Sequence, residues 1–207
     1  MKFAVLISGN GTNLQAIIDA VKAGVITAEL SLVISDREDA FGLKRAESVG
    51  IKTQVFNPKN YTNPQSVDRD IVANLKQQEI DFVVLAGYMR LLTEFFVKEF
   101  PKKILNIHPA LLPSFKGVHG IKDAFTYGVK VTGVTVHFVD EKMDHGPIIM
   151  QEAVDVEERD TPETLEEKIH AVEHRIYPKA IQLFVAGRLK ILAGRKVEIL
   201  PDEETSV

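Results

Sequence analysis

Residues 2–13 read KFAVLISGNGTN, and this stretch decides the fold. Lys2–Ile7 is nearly all apolar with no polar alternation, which suits a parallel strand covered on both faces. Ser8-Gly9-Asn10-Gly11-Thr12-Asn13 then turns the chain into a helix. Leu14, Ile17, Ile18 and Val21 recur along it at helical spacing, and Gly24 is placed to end it. Thr12 and Gln15 have capping-box spacing. Glycines in such a turn let the backbone approach a ligand, and the free amides of a helix start favour an anion. The dinucleotide fingerprint would want glycine or alanine at position 14, where Leu14 stands. No GxxxxGK[ST] sequence occurs. A mononucleotide-type phosphate site is the expectation.

Outward from this turn, residues 30–35, 52–56 and 82–86 repeat the buried-strand character. Residues 40–49 read as a second helix. A third opens at Asn63-Pro64, with Val67, Ile71 and Leu75 as its inward stripe. Alternating strands and helices predict a doubly wound α/β fold with right-handed crossovers, its central sheet mostly parallel with helices on both faces. Residues 104–107 form another strand, followed by the proline-rich segment HPALLPSFKG, 108–117. The β-branched runs 131–139 and 148–156 are joined by too short a loop for a crossover, so they pair antiparallel. Thr161-Pro162 starts a long helix that Pro178 is expected to bend or interrupt. Residues 1–190 read as one domain, and residues 191–207 as a peripheral or partly frayed tail.

Composition narrows the class without choosing a function. The chain has 207 residues, no cysteine and a formal charge of -4. Disulfide and thiolate chemistry are excluded, and a reducing cytoplasm is the natural setting. No apolar run approaches the roughly 18–20 residues of a membrane span. The acidic balance argues against an indiscriminate nucleic-acid binder, though not against a local basic pocket.

The chemistry-bearing residues cluster late. Asn106 and His108 share one face at the carboxyl end of a predicted strand, where open α/β sheets gather ligands. An imidazole beside an amide can carry a proton and hold an oxyanion, as amine attack on a carbonyl carbon requires. Asp144 lies in the loop Met143-Asp144-His145-Gly146-Pro147; close to His108 it would stabilise an imidazolium and fix the ring. Alone, His108 could cap a strand end and Asp144 could serve a turn. His119 and His137 read as structural or solvated, and Phe95, Phe96 and Phe100 as core.

SGNGTNLQAI (8–17), AGYMR (86–90), LNIHPALLPSFKG (105–117), VTVHFVDEKMDHGPII (134–149) and EHRIYP (173–178) together resemble the phosphoribosylglycinamide formyltransferase family of purine biosynthesis. The resemblance implies a Rossmann-like formyltransferase fold with 10-formyltetrahydrofolate as co-substrate and neither metal nor ATP. The acceptor it implies is the amino group of 5-phosphoribosylglycinamide, and the products are the N-formyl ribonucleotide and tetrahydrofolate. It further implies that Asn106, His108 and Asp144 are catalytic, with His108 as general acid. Gly11, Thr12, Asn13 and Glu173 would hold the ribonucleotide. Met89, Arg90, Leu91, Leu92, Asn106, Val139, Asp140, Glu141 and Asp144 would hold the folate. Some relatives carry a folate arginine near position 64; here Pro64 stands there, with Lys59 nearby. The partners implied are small molecules, with no nucleic acid or membrane, and a monomer or homodimer. With strand one at residue 2 and the chain ending at 207, the expected acceptor is the ribonucleotide rather than the tRNA or water used by the tRNA-formylating and folate-hydrolysing relatives.

Two rival readings compete. His170, Glu173 and His174 spell H-x-x-E-H, an inverted zinc-protease motif, but no third metal ligand follows in the polar tail. A non-catalytic folate- or nucleotide-binding module would leave Asn106, His108 and Asp144 dispensable. The mobile parts are expected in the proline-rich segment and residues 140–145.

Overall fold

A computed structural model describes residues 1–202. Its centre is a sheet of seven strands: β1 (Lys2–Ile7), β2 (Glu29–Ser35), β3 (Lys52–Val55), β4 (Phe82–Leu85), β5 (Ile104–His108), β6 (Val131–Phe138) and β7 (Ile148–Asp155). Their order is β3-β2-β1-β4-β5-β6-β7. The first five are parallel, and β6 and β7 join antiparallel. Strand order reverses between β1 and β4, which leaves a crevice beyond their carboxyl ends.

The helices are α1 (Thr12–Lys22), α2 (Phe41–Glu47), α3 (Pro64–Gln77), α4 (Glu94–Glu99), α5 (Gly120–Tyr127) and α6 (Pro162–Val185). Alternation along β1 explains the layers. Phe3, Val5 and Ile7 pack with α1, α2 and α6 on one face. Ala4 and Leu6 pack with α3 and α4 on the other. Both faces are therefore dry, as the apolar strand runs require.

Several local expectations differ in their cause. The α1 helix does begin at Thr12, but its N-cap is Gly11 at φ 74°, with no side-chain cap bond. Gln15 reaches Asp19 and Arg45 instead. The first amides of α1 thus keep no side-chain acceptor, which a phosphate can supply. Gly11 could not be otherwise: a Cβ there would lie 2.8 Å from the Gly42 Cα. The α6 helix runs unbroken through Pro178. Burial of Ile176, Tyr177, Ala180 and Ile181 around the proline outweighs the one missing backbone bond. Part of the segment expected to be a peripheral or partly frayed tail is ordered. A short hairpin, β8 (Leu189–Ile191) and β9 (Val197–Ile199), packs Leu189, Ile191 and Val197 against the core; positions 203–207 lie outside the described residues. No helix among the described residues is long and apolar enough to cross a membrane.

Tyr177, fully buried on α6, fastens the sheet from behind. Its hydroxyl lies 2.7 Å from the carbonyl oxygen of Leu85, the last residue of β4, and 3.1 Å from that of Leu105, the second residue of β5. Tyr177→Phe removes the donor and leaves these oxygens poorer in a dry interior. Urea unfolding should show a loss of about 1–2 kcal/mol with an unchanged m value.

Candidate functional site

Antiparallel pairing of β5 with β6 builds the centre of the site. Asn106 stands opposite His137, and His108 opposite Thr135. Asn106 Nδ2 lies 3.2 Å from His137 Nε2, while His137 Nδ1 lies 2.8 Å from the Phe138 carbonyl oxygen. A carbonyl only accepts, so Nδ1 carries the proton and Nε2 accepts from Asn106. Burial pushes the His137 imidazole below its ordinary value, against the pull of the Phe138 carbonyl and the Asp144 charge. Neutral His137 therefore holds the Asn106 amide in one orientation. His137, expected to be merely structural or solvated, is part of the site. The missing signal was strand register: only the β5–β6 pairing sets it opposite Asn106.

His108 is almost wholly buried. Its Nε2 is 2.8 Å from the Phe115 carbonyl oxygen, and its Nδ1 is 3.6 Å from Asp144 Oδ2. Asp144 Oδ1 lies 3.8 Å from His137 Nε2, and Oδ2 accepts from the Gly117 amide at 2.8 Å. Two non-glycine residues here, Phe115 at φ 48° and Asp144 at φ 45°, occupy the left-handed region. Such conformations cost about 1–3 kcal/mol each and persist where surroundings enforce them. His108 holds Phe115 and the Gly117 amide holds Asp144, and the segment before them is fastened in turn. Thr135 Oγ1 donates to the Ala110 carbonyl and accepts from the Leu112 amide, and Gln151 donates to the Leu112 carbonyl. The proline-rich segment, expected to be mobile, is held at these points and by His108.

The cleft in front of these groups is lined by Leu85, Met89, Asn106, His108, Val139 and Asp144 among others. It encloses about 220 Å³, below the roughly 300–1,000 Å³ of a whole-ligand pocket. It suits one flat ring, with the rest of a ligand along the rim. Met89, Leu91, Val118 and Met143 form part of its lining and are each at least half exposed, an apolar mouth that a ring system would cover. Arg90 lines the cleft but spends its guanidinium inward, donating to Tyr88 Oη at 2.9 Å and to buried Asp68 at 3.3 Å. Asp68 also accepts from the Thr93 amide. Residues 88–93 are thus anchored to α3 and offer the cleft backbone and apolar surface. Of the expected folate residues, all but Glu141 line this cleft; Glu141 lines a neighbouring hollow with Lys98 and Lys102. Lys59 is elsewhere too, in a groove with Asp36, Arg37 and Asp39.

The glycine-rich turn adjoins the cleft through Ser8. Its amide donates to the Gly87 carbonyl at 3.1 Å, and its Oγ accepts from the Met89 amide at 2.8 Å. On the other side, Asn13 Nδ2 donates to Glu173 Oε2 at 3.0 Å. Burial drives the Glu173 carboxyl above its ordinary range, with Asn13 and His170 opposing. Asn13 Oδ1 is itself buried without a partner. His170 and His174 stack at 6.0 Å on the same helix; Glu173 Oε2, bonded to Asn13, also lies 3.9 Å from His170 Nε2, and no group of three potential metal ligands stands together among the described residues.

Comparisons with known proteins agree with this arrangement. The Formyl transferase family model matches residues 1–181. The chain is similar to the phosphoribosylglycinamide formyltransferase of Bacillus subtilis (strain 168), at 44% identity over 87% of this chain and 93% of that one. It is similar to the trifunctional purine biosynthetic protein adenosine-3 of Homo sapiens, at 46% identity over 95% of this chain but 19% of the larger protein. Among solved structures, glycinamide ribonucleotide transformylase 1 from Symbiobacterium toebii superposes with a TM-score of 0.94 at 49% identity, covering 97% of this chain and 94% of that one.

Glu173 gives a signed test of the site's cost. Folding raises its pKa, so the penalty on the native state is complete above the folded value and fades as pH falls toward 4.5. Glu173→Gln keeps an acceptor for Asn13 and removes the buried charge. The variant should melt higher than the parent at about pH 8, the gap closing on acidification. A lower melting temperature at alkaline pH would contradict the assignment.

Proposed function

The chain belongs to the formyl transferase family, and on that premise we propose that it moves the formyl group of 10-formyltetrahydrofolate to the amino group of 5-phosphoribosylglycinamide in purine biosynthesis, with Asn106, His108 and Asp144 as its chemical centre. The observation that carries this reading is the convergence of an amide, an imidazole and a carboxylate at one end of the flat cleft, beside an uncapped helix start. The ring of the folate enters the cleft against Met89, Arg90, Leu91, Leu92, Val139 and Asp140. The ribonucleotide phosphate lies on Gly11, Thr12 and Asn13, and its sugar hydroxyls meet Glu173.

The neutral amine of the acceptor attacks the formyl carbon. Charge develops on the formyl oxygen, and fixed donors stabilise it. Asn106 supplies one donor, its orientation set by His137. His108 supplies the second when Nε2 exchanges the Phe115 carbonyl for the oxyanion, with Asp144 on its Nδ1 side to balance the imidazolium. The attacking nitrogen sheds a proton, and collapse of the tetrahedral adduct expels the folate nitrogen, which gains one; the proton passes between them through His108, Asp144 or water. The reaction uses no metal, ATP or covalent enzyme intermediate. The cysteine-free sequence fits a cytoplasmic enzyme, acting as a monomer or homodimer on small molecules alone.

The test is formyl transfer measured with and without the ribonucleotide. Product formation should require the acceptor. It should fall about 100- to 1,000-fold in Asn106→Ala, the usual cost of one oxyanion donor, and collapse in His108→Ala. Folate turnover without acceptor would point to a hydrolase. Retained activity in both variants would remove the proposed centre.

A further inference from the structure

The loop that carries Asp144 is secured from outside by a residue of the C-terminal hairpin. Within the loop, Asp140 Oδ1 accepts from the Lys142 amide at 3.0 Å, and Oδ2 lies 2.7 Å from His145 Nδ1. A carboxylate accepts, so Nδ1 of His145 donates and the neutral ring presents Nε2 as an acceptor. Arg195 Nη1 lies 3.2 Å from that nitrogen, and Arg195 Nη2 donates to the Gly146 carbonyl at 3.2 Å. One planar guanidinium thus grips the two residues that follow Asp144.

The surroundings give this grip its importance. Hollows lie on both sides of the loop, one lined by Lys116, Asp144 and Gln151, the other by Val97, Asp140 and Glu141, and Arg195 lines both. Position 146 cannot carry packing of its own, because a Cβ there would fall 1.7 Å from the Phe138 oxygen. Asp144 sits at φ 45°, a conformation that relaxes unless held. Arg195 itself is at φ 104°, directly after Gly194 at φ 82°, so the turn between β8 and β9 accepts strain to aim this side chain.

We propose that Arg195 is a positioning residue for the reaction, a strut that keeps Asp144 within reach of His108 by clamping His145 and Gly146. The inference rests on the reading of Asp144 above. Arg195 does not line the cleft; it acts through the loop, and the side chain that spans the gap must be a guanidinium to make both contacts.

The experiment compares the full chain with Arg195→Ala and Arg188→Ala. Arg188 donates to the Leu200 carbonyl and to Asp202, each at 2.7 Å, so it tethers the same hairpin without reaching the loop. Hydrogen exchange of amides 140–146 should quicken in Arg195→Ala and stay near the parent rate in Arg188→Ala. In the transfer assay, kcat of Arg195→Ala should fall about 10- to 100-fold, as for a misplaced catalytic group, with the KM for the ribonucleotide little changed. Added methylguanidinium should restore part of it. Unaltered exchange at 140–146, or a kcat loss matched by Arg188→Ala, overturns the proposal. If the parent itself transfers no formyl group, the reading of Asp144 fails, while the exchange comparison still decides whether Arg195 holds the loop.

Discussion

The antiparallel register between β5 and β6 is the constraint on which the site depends. It sets Asn106 against His137 and His108 against Thr135 on a single face of the sheet. Side chains alternate along a strand, so a one-residue slip of β6 would deliver Val136 to the cleft, turn Thr135 and His137 into the core and break both pairings. The apolar residues between them prevent that slip: Leu105, Val134 and Val136 are buried in the core shared with α6. Hydrophobic burial on one face therefore fixes hydrogen-bonding chemistry on the other, and no separate device is needed to align the imidazole with the amide.

Polar groups in so dry a setting are costly unless partnered. The site meets this demand by chaining its partners. His137 binds Asn106 and a carbonyl; Thr135 binds Ala110, Leu112 and Gln151; Asp144 binds the Gly117 amide and faces two imidazoles. Each bond also restrains a loop that regular secondary structure does not hold. The residual tension shows in the positive φ values of Phe115 and Asp144. Loops held taut around Asn106, His108 and Asp144, against a packed sheet, are the preorganised setting that the proposed oxyanion stabilisation would need.

Much of this was legible in the sequence because it rests on local pattern. The strand runs, the glycine-rich turn and the helical stripes report burial directly, and the structure places those elements within a residue or two. What escaped depends on distance in the chain. His137 looks idle until β6 is set beside β5. Arg195 looks like part of a polar tail until β8 and β9 fold back on the core. The capping box at Thr12 failed for a different reason: Gly11 takes the left-handed conformation, because close contact with Gly42 leaves no room for a side chain. Glu141 lines the hollow beside the cleft rather than the cleft itself, because chain adjacency does not fix which wall of a loop a side chain faces.

Helix α6 shows how one element can serve both halves of the cleft. Glu173 and Tyr177 are four residues apart and so share a helix face. Glu173 receives Asn13 from the glycine-rich turn, whereas the Tyr177 hydroxyl meets the carbonyls of Leu85, which lines the cleft, and of Leu105, just before the cleft residue Asn106. Ser8 makes the same connection from the front, joining the turn after β1 to Gly87 and Met89. The two ligand regions are thus tied together at back and front, and neither can shift without straining the other. For a transfer between two bound molecules, whose reacting atoms must meet within a few tenths of an ångström, that shared mounting does what a hinge could not.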